Sequence, residues 1–392
     1  MYTKTFNITH TIAGEIFNLK LISYFAGSGT SNETTTIGIM EIGNYKIKLP
    51  EEATIAYIEN IDFLFSDLDN DFDNKILIYG STEVSRIEVE FKIDSTIKFL
   101  GNIDLSSIAI DDKNLTVKAT VVSKVNLLKE KDVDTDLAPL ITNLHIYGGL
   151  SCFNLKECIE TIFGMVDYVS GDLSWSINQT FPGASTTYYF QDIWIVKDDY
   201  FGTSKIHDFK TVYDLLKSFL IDLGAYAVMH ENRFRIYNID TEILSTSFNV
   251  IEQIRNIFPE KIIDGIKCNI IGQPAAGQFG NYTNGKNVKE IEFILQLKNT
   301  YLNERVFADN GSSNEPVDEV SYETYGPDEI DAVFGKFYYD FYSSRRKTIK
   351  IKETDENTLF DKITINSINY QLNDVQNNFL KKTTNCEGRN LS

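Results

Sequence analysis

Histidine, cysteine, tryptophan and proline are all scarce in this chain, and the first two scarcities remove whole chemistries. Only 4 His occur among 392 residues. His10, His145, His207 and His230 are scattered, and no HExxH zinc helix is written here. The 4 Cys are Cys152, Cys158, Cys268 and Cys386. The first two lack a CxxC metal spacing, so the set reads as reduced thiols and not as a disulfide scaffold. GxSxG, Walker and GxGxxG patterns are absent. Basic charge is short as well: 37 Lys and Arg face 56 Asp and Glu, for a net charge of −19. Binding nucleic acid through its phosphates needs clustered Lys and Arg, so this chain is a poor candidate for that role. An acidic surface either repels DNA sliding past it or simply keeps the chain in solution. Long apolar runs are missing too. Lys217 and Asp222 interrupt the longest, well short of the roughly 18 residues a membrane span needs. Met1 to His10 has no apolar h-region, so no secretory signal is visible.

What is present is a folded, aromatic-rich chain. It is 42% hydrophobic and 24% charged, with 26 Phe and 21 Tyr against 7 Pro. Aromatic and β-branched residues in short alternating runs predict a β-rich fold. Candidate strands are Glu15–Phe25, Thr36–Ile42 and Asn44–Leu49 as a hairpin pair, Thr54–Asn60, Ile76–Tyr79, Glu83–Ile93, Ile97–Ile103 and Asn114–Val122. Within Arg86–Phe91, Ile87, Val89 and Phe91 share one face. The charged run Lys129–Asp136 reads as a connector. Asn154–Val166 then carries Leu155, Cys158, Ile159, Ile162, Phe163 and Val166 on one helical stripe, with Asn154 and Glu157 at capping spacing. Residues 167 to 205 are rich in Tyr and Trp and do not resolve into elements.

The clearest unit runs from Phe209 to Asp240. Thr211 and Asp214 have capping-box spacing, and Val212, Leu215, Leu216, Phe219, Leu220 and Leu223 form one apolar stripe. Gly224 suits a helix stop. Strands Ala225–His230 and Phe234–Ile239 follow around Glu231-Asn232-Arg233. Beyond residue 250 come strands at Glu260–Ile271, Glu290–Leu297, Lys347–Ile351 and Lys362–Leu372. Gly272–Asn287 and Asp309–Pro316 read as loops, and a third helix opens at Pro327 with Ile330, Val333, Phe334, Phe337, Tyr338 and Phe341 inward. The expected fold class is α+β and β-rich. Two barrel-like β domains, 1–130 and 251–392 (the latter with one helix), flank a mixed α/β middle domain, 131–250, with its capped helix and hairpin.

Candidate sites are few. Asp67, Asp69, Asp71 and Asp73 begin like a calcium loop, but Phe72 replaces the turn glycine and Ile78 the bidentate glutamate. Asp132, Asp134 and Asp136 fail the same test at Leu137 and Asn143. His207 beside Asp208 lacks a convergent partner set. Trp175, Tyr188, Tyr189 and Trp194 read either as a sugar-stacking platform or as strand core. Arg345-Arg346 suits a helix C-terminus. No residue is assigned a catalytic, cofactor-binding or metal-binding role, and no cofactor is implied.

Four segments carry a resemblance. Phe209–Asp240 is similar to the middle of phage tail hub (baseplate hub or tail tip) proteins, with a short acidic helix, Gly224-Ala225 and a hairpin. Phe99-Leu100-Gly101-Asn102-Ile103-Asp104 resembles that family's aromatic-x-Gly-x-Ile strand. Leu115–Lys129 resembles its strand leading into a D-x-L-x-x-L element, with Ser123 where Asp is commoner. Ile363–Asp374 resembles its closing strand pair. The resemblance implies a non-enzymatic virion subunit assembled in the bacterial host cytoplasm. It implies a homotrimer whose paired barrel-like domains make a pseudo-sixfold ring. That ring would join the tail tube or distal ring protein to a spike or fibre, meet the tape measure, and let DNA through an acidic lumen during ejection. A distal tail ring or adaptor subunit and a receptor (carbohydrate)-binding tail protein are the alternatives.

Overall fold

The structure, a computed structural model, describes residues 1–12, 14–48, 55–147, 149–175, 193–203, 205, 208–223 and 225–238. Beyond 240 it describes the segments 243–244, 250–255, 265–270, 277–280, 288–293, 306–308, 318–319, 348–353, 361–365, 368–378 and 383–390.

A nine-stranded sheet dominates the first third. Its order is Gly29–Glu33, Tyr2–Ile12, Glu15–Phe25, Arg86–Ile93, Thr96–Ile103, Thr116–Ser123, Asn60–Ser66 and Gly38–Ile42, with Ala109–Asp111 beside Thr116–Ser123. Strict alternation builds it: Phe17, Leu19 and Leu21 point inward from one strand, Ile87, Val89 and Phe91 from another, and Val117, Ala119 and Val121 from a third. At roughly 1.5–3 kcal/mol for each large apolar side chain buried, this face dominates the sheet's stability. Phe63 meets Phe91 edge-on, with ring centroids 5.7 Å apart, and the backbone can pleat closely there because Gly101 has no side chain. A Cβ at Gly101 would lie 2.6 Å from Val121 Cγ1.

This sheet does not close into a barrel. Gly38–Ile42 curls to within 8 Å of Tyr2–Ile12, but no ladder joins them. The edge of Tyr2–Phe6 is already taken by the parallel strand Gly29–Glu33. The barrel-like expectation therefore becomes a curled, open sheet here, and among the described residues no other sheet closes either.

Two helices pack in the middle of the chain. In α1 (Leu155–Gly164) the Asn154 side chain accepts from the Glu157 N–H at 3.1 Å. In α2 (Val212–Leu223) the Asp214 N–H donates to Thr211 Oγ1 at 3.1 Å, and the Thr211 hydroxyl donates to Asp214 Oδ2 at 2.7 Å. Val212, Leu215, Leu216, Phe219 and Leu220 are fully buried. The side chain of Leu223 and all of Gly224 lie outside the described residues. The hairpin Ala225–His230 and Arg233–Asn238 turns on two residues, because Arg233 pairs with His230 and Glu231 takes a left-handed φ of 60°. Phe163 stacks on Phe234 at 4.3 Å, tying α1 to the hairpin.

Other expectations change. Thr36–Ile42 and Asn44–Leu49 do not form a hairpin. Gly38–Ile42 pairs with Asn60–Ser66, whereas Tyr45–Lys48 pairs with Ile368–Asn378 in the C-terminal sheet. Gly43 donates to the Asp62 carbonyl at 2.8 Å and lets the chain leave one sheet for the other. Ile55–Ala56 then joins Ala225–His230 in parallel. Segment 38–58 thus contributes to three sheets. Phe72–Leu77 is a helical turn that shortens the Ile76–Tyr79 strand to Ile78–Tyr79. Lys129–Asp136 is no loose connector: Val133 and Leu137 are fully buried within short helical turns. Gly277–Gly280 is a strand within the expected loop Gly272–Asn287. The third helix, from Pro327, and the loop Asp309–Pro316 lie outside the described residues.

Farther along, Ile243–Leu244, Asp361–Ile365, Ile368–Asn378, Thr383–Asn390, Thr348–Glu353 and Val250–Arg255 make the C-terminal sheet, with Tyr45–Lys48 added to Ile368–Asn378. A five-stranded sheet runs Leu144–Tyr147, Leu150–Asn154, Ile193–Val196, Val306–Ala308 and Asp318–Glu319.

Candidate functional site

Most carboxylates of the acidic clusters are engaged by the groups around them, while Asp69 and Asp73 lie exposed. Asp67 accepts from the Asp71 N–H at 2.7 Å and from the Phe72 N–H, so it caps the turn that follows. Asp71 accepts from the Thr36 N–H at 2.9 Å and pairs with Lys75 at 2.9 Å. Burial pushes the Asp71 carboxyl up, but the Thr36 N–H, Lys75 and Thr35 together hold it below its ordinary value. Asp132 accepts from the Asp134 and Thr135 N–H groups at 2.9 and 2.8 Å. Asp134 accepts from Gly202 N–H at 2.9 Å and pairs with Lys205 at 2.8 Å, and the two hold it low. Asp136 is held low by the Asp132 N–H and by Lys131. Their bonds are those of structural carboxylates. Among the described residues no group of three His, Cys, Asp or Glu converges for a metal.

The other candidates do not assemble. Asp208 pairs with Lys205 at 2.9 Å, and His207 lies outside the described residues. Trp194 is buried, with His145 edge-on to it at 4.4 Å, so it reads as core. The side chain of Trp175, and all of Tyr188, Tyr189, Arg345 and Arg346, lie outside the described residues. Cys158 sits fully buried on α1, and burial pushes its thiol far up, which makes it unreactive.

One buried lysine ties two regions together. Lys124 pairs with Glu88 at 3.1 Å and with Asp167, which adopts a left-handed φ of 64° at the end of α1. Burial lowers the Lys124 ammonium, but Asp167 and Glu88 outweigh it and hold the group above its ordinary value. Ser123, standing where the resembling family has Asp more often, fills the same capping role: its hydroxyl accepts from the Val125 N–H at 3.2 Å. Val125 and Leu128 behind it are fully buried.

Several large aliphatic side chains stand exposed on the described surface. Ile146 is 78% exposed, Leu68 66%, Met40 53% and Leu140 50%. Met40 bulges from the edge strand Gly38–Ile42, and Ile146 lies on the edge strand Leu144–Tyr147. Periodicity could not single these residues out. A different signal could have done so: from Leu137 to Leu155 the sequence contains no Asp, Glu, Lys or Arg.

No protein-family model and no curated sequence matches the chain. Solved structures similar to it include the 43 kDa tail protein of prophage MuSo2 from Shewanella oneidensis, at 10% identity and a TM-score of 0.46, covering 88% of this chain and 92% of that one. The tail protein from Neisseria meningitidis MC58 is similar at 9% identity and a TM-score of 0.45, covering 89% and 91%. A chain of the Francisella PdpA–VgrG complex, half-lidded, is similar at 9% and 0.35, with 54% of that chain covered. All three are remote in sequence and partial in shape.

Proposed function

We propose that the chain is a structural subunit of a phage-like tail, a hub that works by binding its neighbours and not by catalysis. The observation that carries this reading is the form taken by the four resembling segments. Phe209–Asp240 yields a capped helix and a hairpin. Phe99–Ile103 is a strand that needs Gly101. Ser123 caps the turn carrying Val125 and Leu128. Ile363–Asp374 lies in the antiparallel pair Asp361–Ile365 and Ile368–Asn378.

In this reading three copies form a ring by a head-to-tail contact whose rotation closes. The ring joins the tail tube to a spike or fibre, and acidic residues facing its lumen keep DNA from sticking as it passes. Permanent subunit contacts of this kind are large and apolar, so affinity comes from burial. Electron microscopy of the purified assembly tests the reading directly. Three copies per ring are expected. Six copies would make the chain a distal ring or adaptor subunit, and a lone protomer that binds glycan would make it a receptor-binding protein.

A further inference from the structure

Strands at a sheet edge carry unpaired N–H and C=O groups, and proteins guard them with charge, bulges or brevity. Both edges of the nine-stranded sheet are guarded. Gly29–Glu33 ends on Glu33, and Gly38–Ile42 bulges at Met40 beside Glu41. The far edge of the five-stranded sheet is the acidic pair Asp318–Glu319. Its near edge, Leu144–Tyr147, has no charge, proline or bulge, and no described strand pairs with its outer side.

The register shows which groups face outward. Tyr147 stands opposite Leu150 and His145 opposite Cys152, so the register leaves two residues to connect the strands. The pair that closes such a connection exchanges both of its backbone bonds, and pairs then alternate. The N–H and C=O of Ile146 and Leu144 therefore point away from the sheet. The side chain of Ile146 is itself exposed.

We propose that this edge is a subunit contact, in which a second copy of the chain lays an extended segment along Leu144–Tyr147. That segment bonds to the outward backbone groups of Leu144 and Ile146 and covers the Ile146 side chain. The proposal rests on the self-assembling reading above. Charge identifies the occupant. Each copy carries −19, so two copies repel wherever acidic faces meet. The strip from Leu137 to Leu155 has no charge of its own, and the Glu157 carboxylate on Asn143 and the Lys197 ammonium on Ile141 bring one charge of each sign, so a second copy meets no net repulsion there. A strongly basic partner gains nothing at an uncharged edge.

Sedimentation velocity on the full chain over a concentration series tests the contact, comparing wild type with Ile146→Lys, Ile146→Thr and Leu68→Lys. Leu68 is a comparably exposed residue outside the strip. Wild type and Leu68→Lys are expected to sediment as a multiple of the 44.7 kDa chain mass. Ile146→Thr, which keeps a β-branched strand residue, should weaken association several-fold. Ile146→Lys should run as a single chain with an unchanged melting temperature. If both Ile146 variants associate like wild type, the edge contact is overturned and the ring reading stands. If wild type stays a single chain at every concentration, both fall.

Discussion

Residues 129–136 and 137–155 adjoin in the chain and treat charge in opposite ways. The first stretch, Lys-Glu-Lys-Asp-Val-Asp-Thr-Asp, is almost all charge, yet it is folded tightly into the molecule. Asp132, Asp134 and Asp136 accept backbone N–H bonds, Lys131 and Lys205 pair with two of them, and Val133 is fully buried. The second stretch has no charge and begins and ends in packed structure, but it leaves Leu140 and Ile146 in solvent. Carboxylates close to backbone amides can satisfy a compact set of turns, because each supplies several acceptor sites. An uncharged edge strand supplies only backbone groups and aliphatic surface, which another strand can satisfy. Charge density in the sequence therefore marks the tightly folded stretch here, and its absence marks the one that leaves aliphatic surface in solvent.

The comparison can be broken at several points. The largest effect should come from Val133→Asp, which places an unpaired charge in a fully buried site. A loss of about 3–5 kcal/mol is expected, read as a lower urea midpoint or loss of soluble protein. Normal stability would mean that the charged stretch is loosely attached after all. Next is Gly101→Ala, which forces a methyl group to within 2.6 Å of Val121 Cγ1 and the Val122 carbonyl oxygen. Overpacking there should cost roughly 1–3 kcal/mol in equilibrium unfolding. This gives a yardstick from outside both stretches. Asp132→Ala removes a side-chain cap and should cost about 0.5–2 kcal/mol by the same measurement.

Acid gives a smaller effect with a definite sign. In the fold, the Gly202 N–H and Lys205 hold Asp134, and the Asp132 N–H and Lys131 hold Asp136, below the ordinary carboxylate value. Their stabilisation is present above that value and fades as pH falls through it and below. The melting temperature should drop on acidification toward pH ~3, and Asp134→Asn should lose less than wild type over the same interval. An equal loss in both would remove Asp134 from the account. Smallest of all is the effect of Ile146→Lys on folding, expected within about 0.5 kcal/mol, because the side chain stands in solvent.

Local pattern made part of this fold legible. Both helical stripes, their Asn154 and Thr211 caps and the inward face of Arg86–Ile93 follow from spacing alone, since side-chain direction is set by the element's own period. Three things were not legible. Among its described side chains, Tyr2–Ile12 has only Phe6 and Ile8 as fully inward apolar residues. Its other inward position is Lys4, whose ammonium sits over the Tyr79 ring at 4.9 Å, so the strand lacks a plain alternation. The pairing of Tyr45–Lys48 with Ile368–Asn378, reinforced by Lys46 and Asp374 at 2.7 Å, depends on residues more than three hundred positions apart. The packing of Val133 and Leu137 was hidden by the charges around them. For the candidate site, Asp67 and Asp132 were visible as acidic clusters, but only geometry showed their oxygens occupied by backbone amides. The edge at Leu144–Tyr147 has no motif to find, because its property is a missing one.

Hydrogen–deuterium exchange at Leu144 and Ile146, followed as the chain is concentrated, bears most directly on the central claim. These outward amides should exchange fast in dilute solution and become protected as copies associate, while the buried amides of Val212–Leu223 stay slow throughout. Amides at 144 and 146 that exchange at one unchanging fast rate, in a sample whose mass shows association, would contradict it.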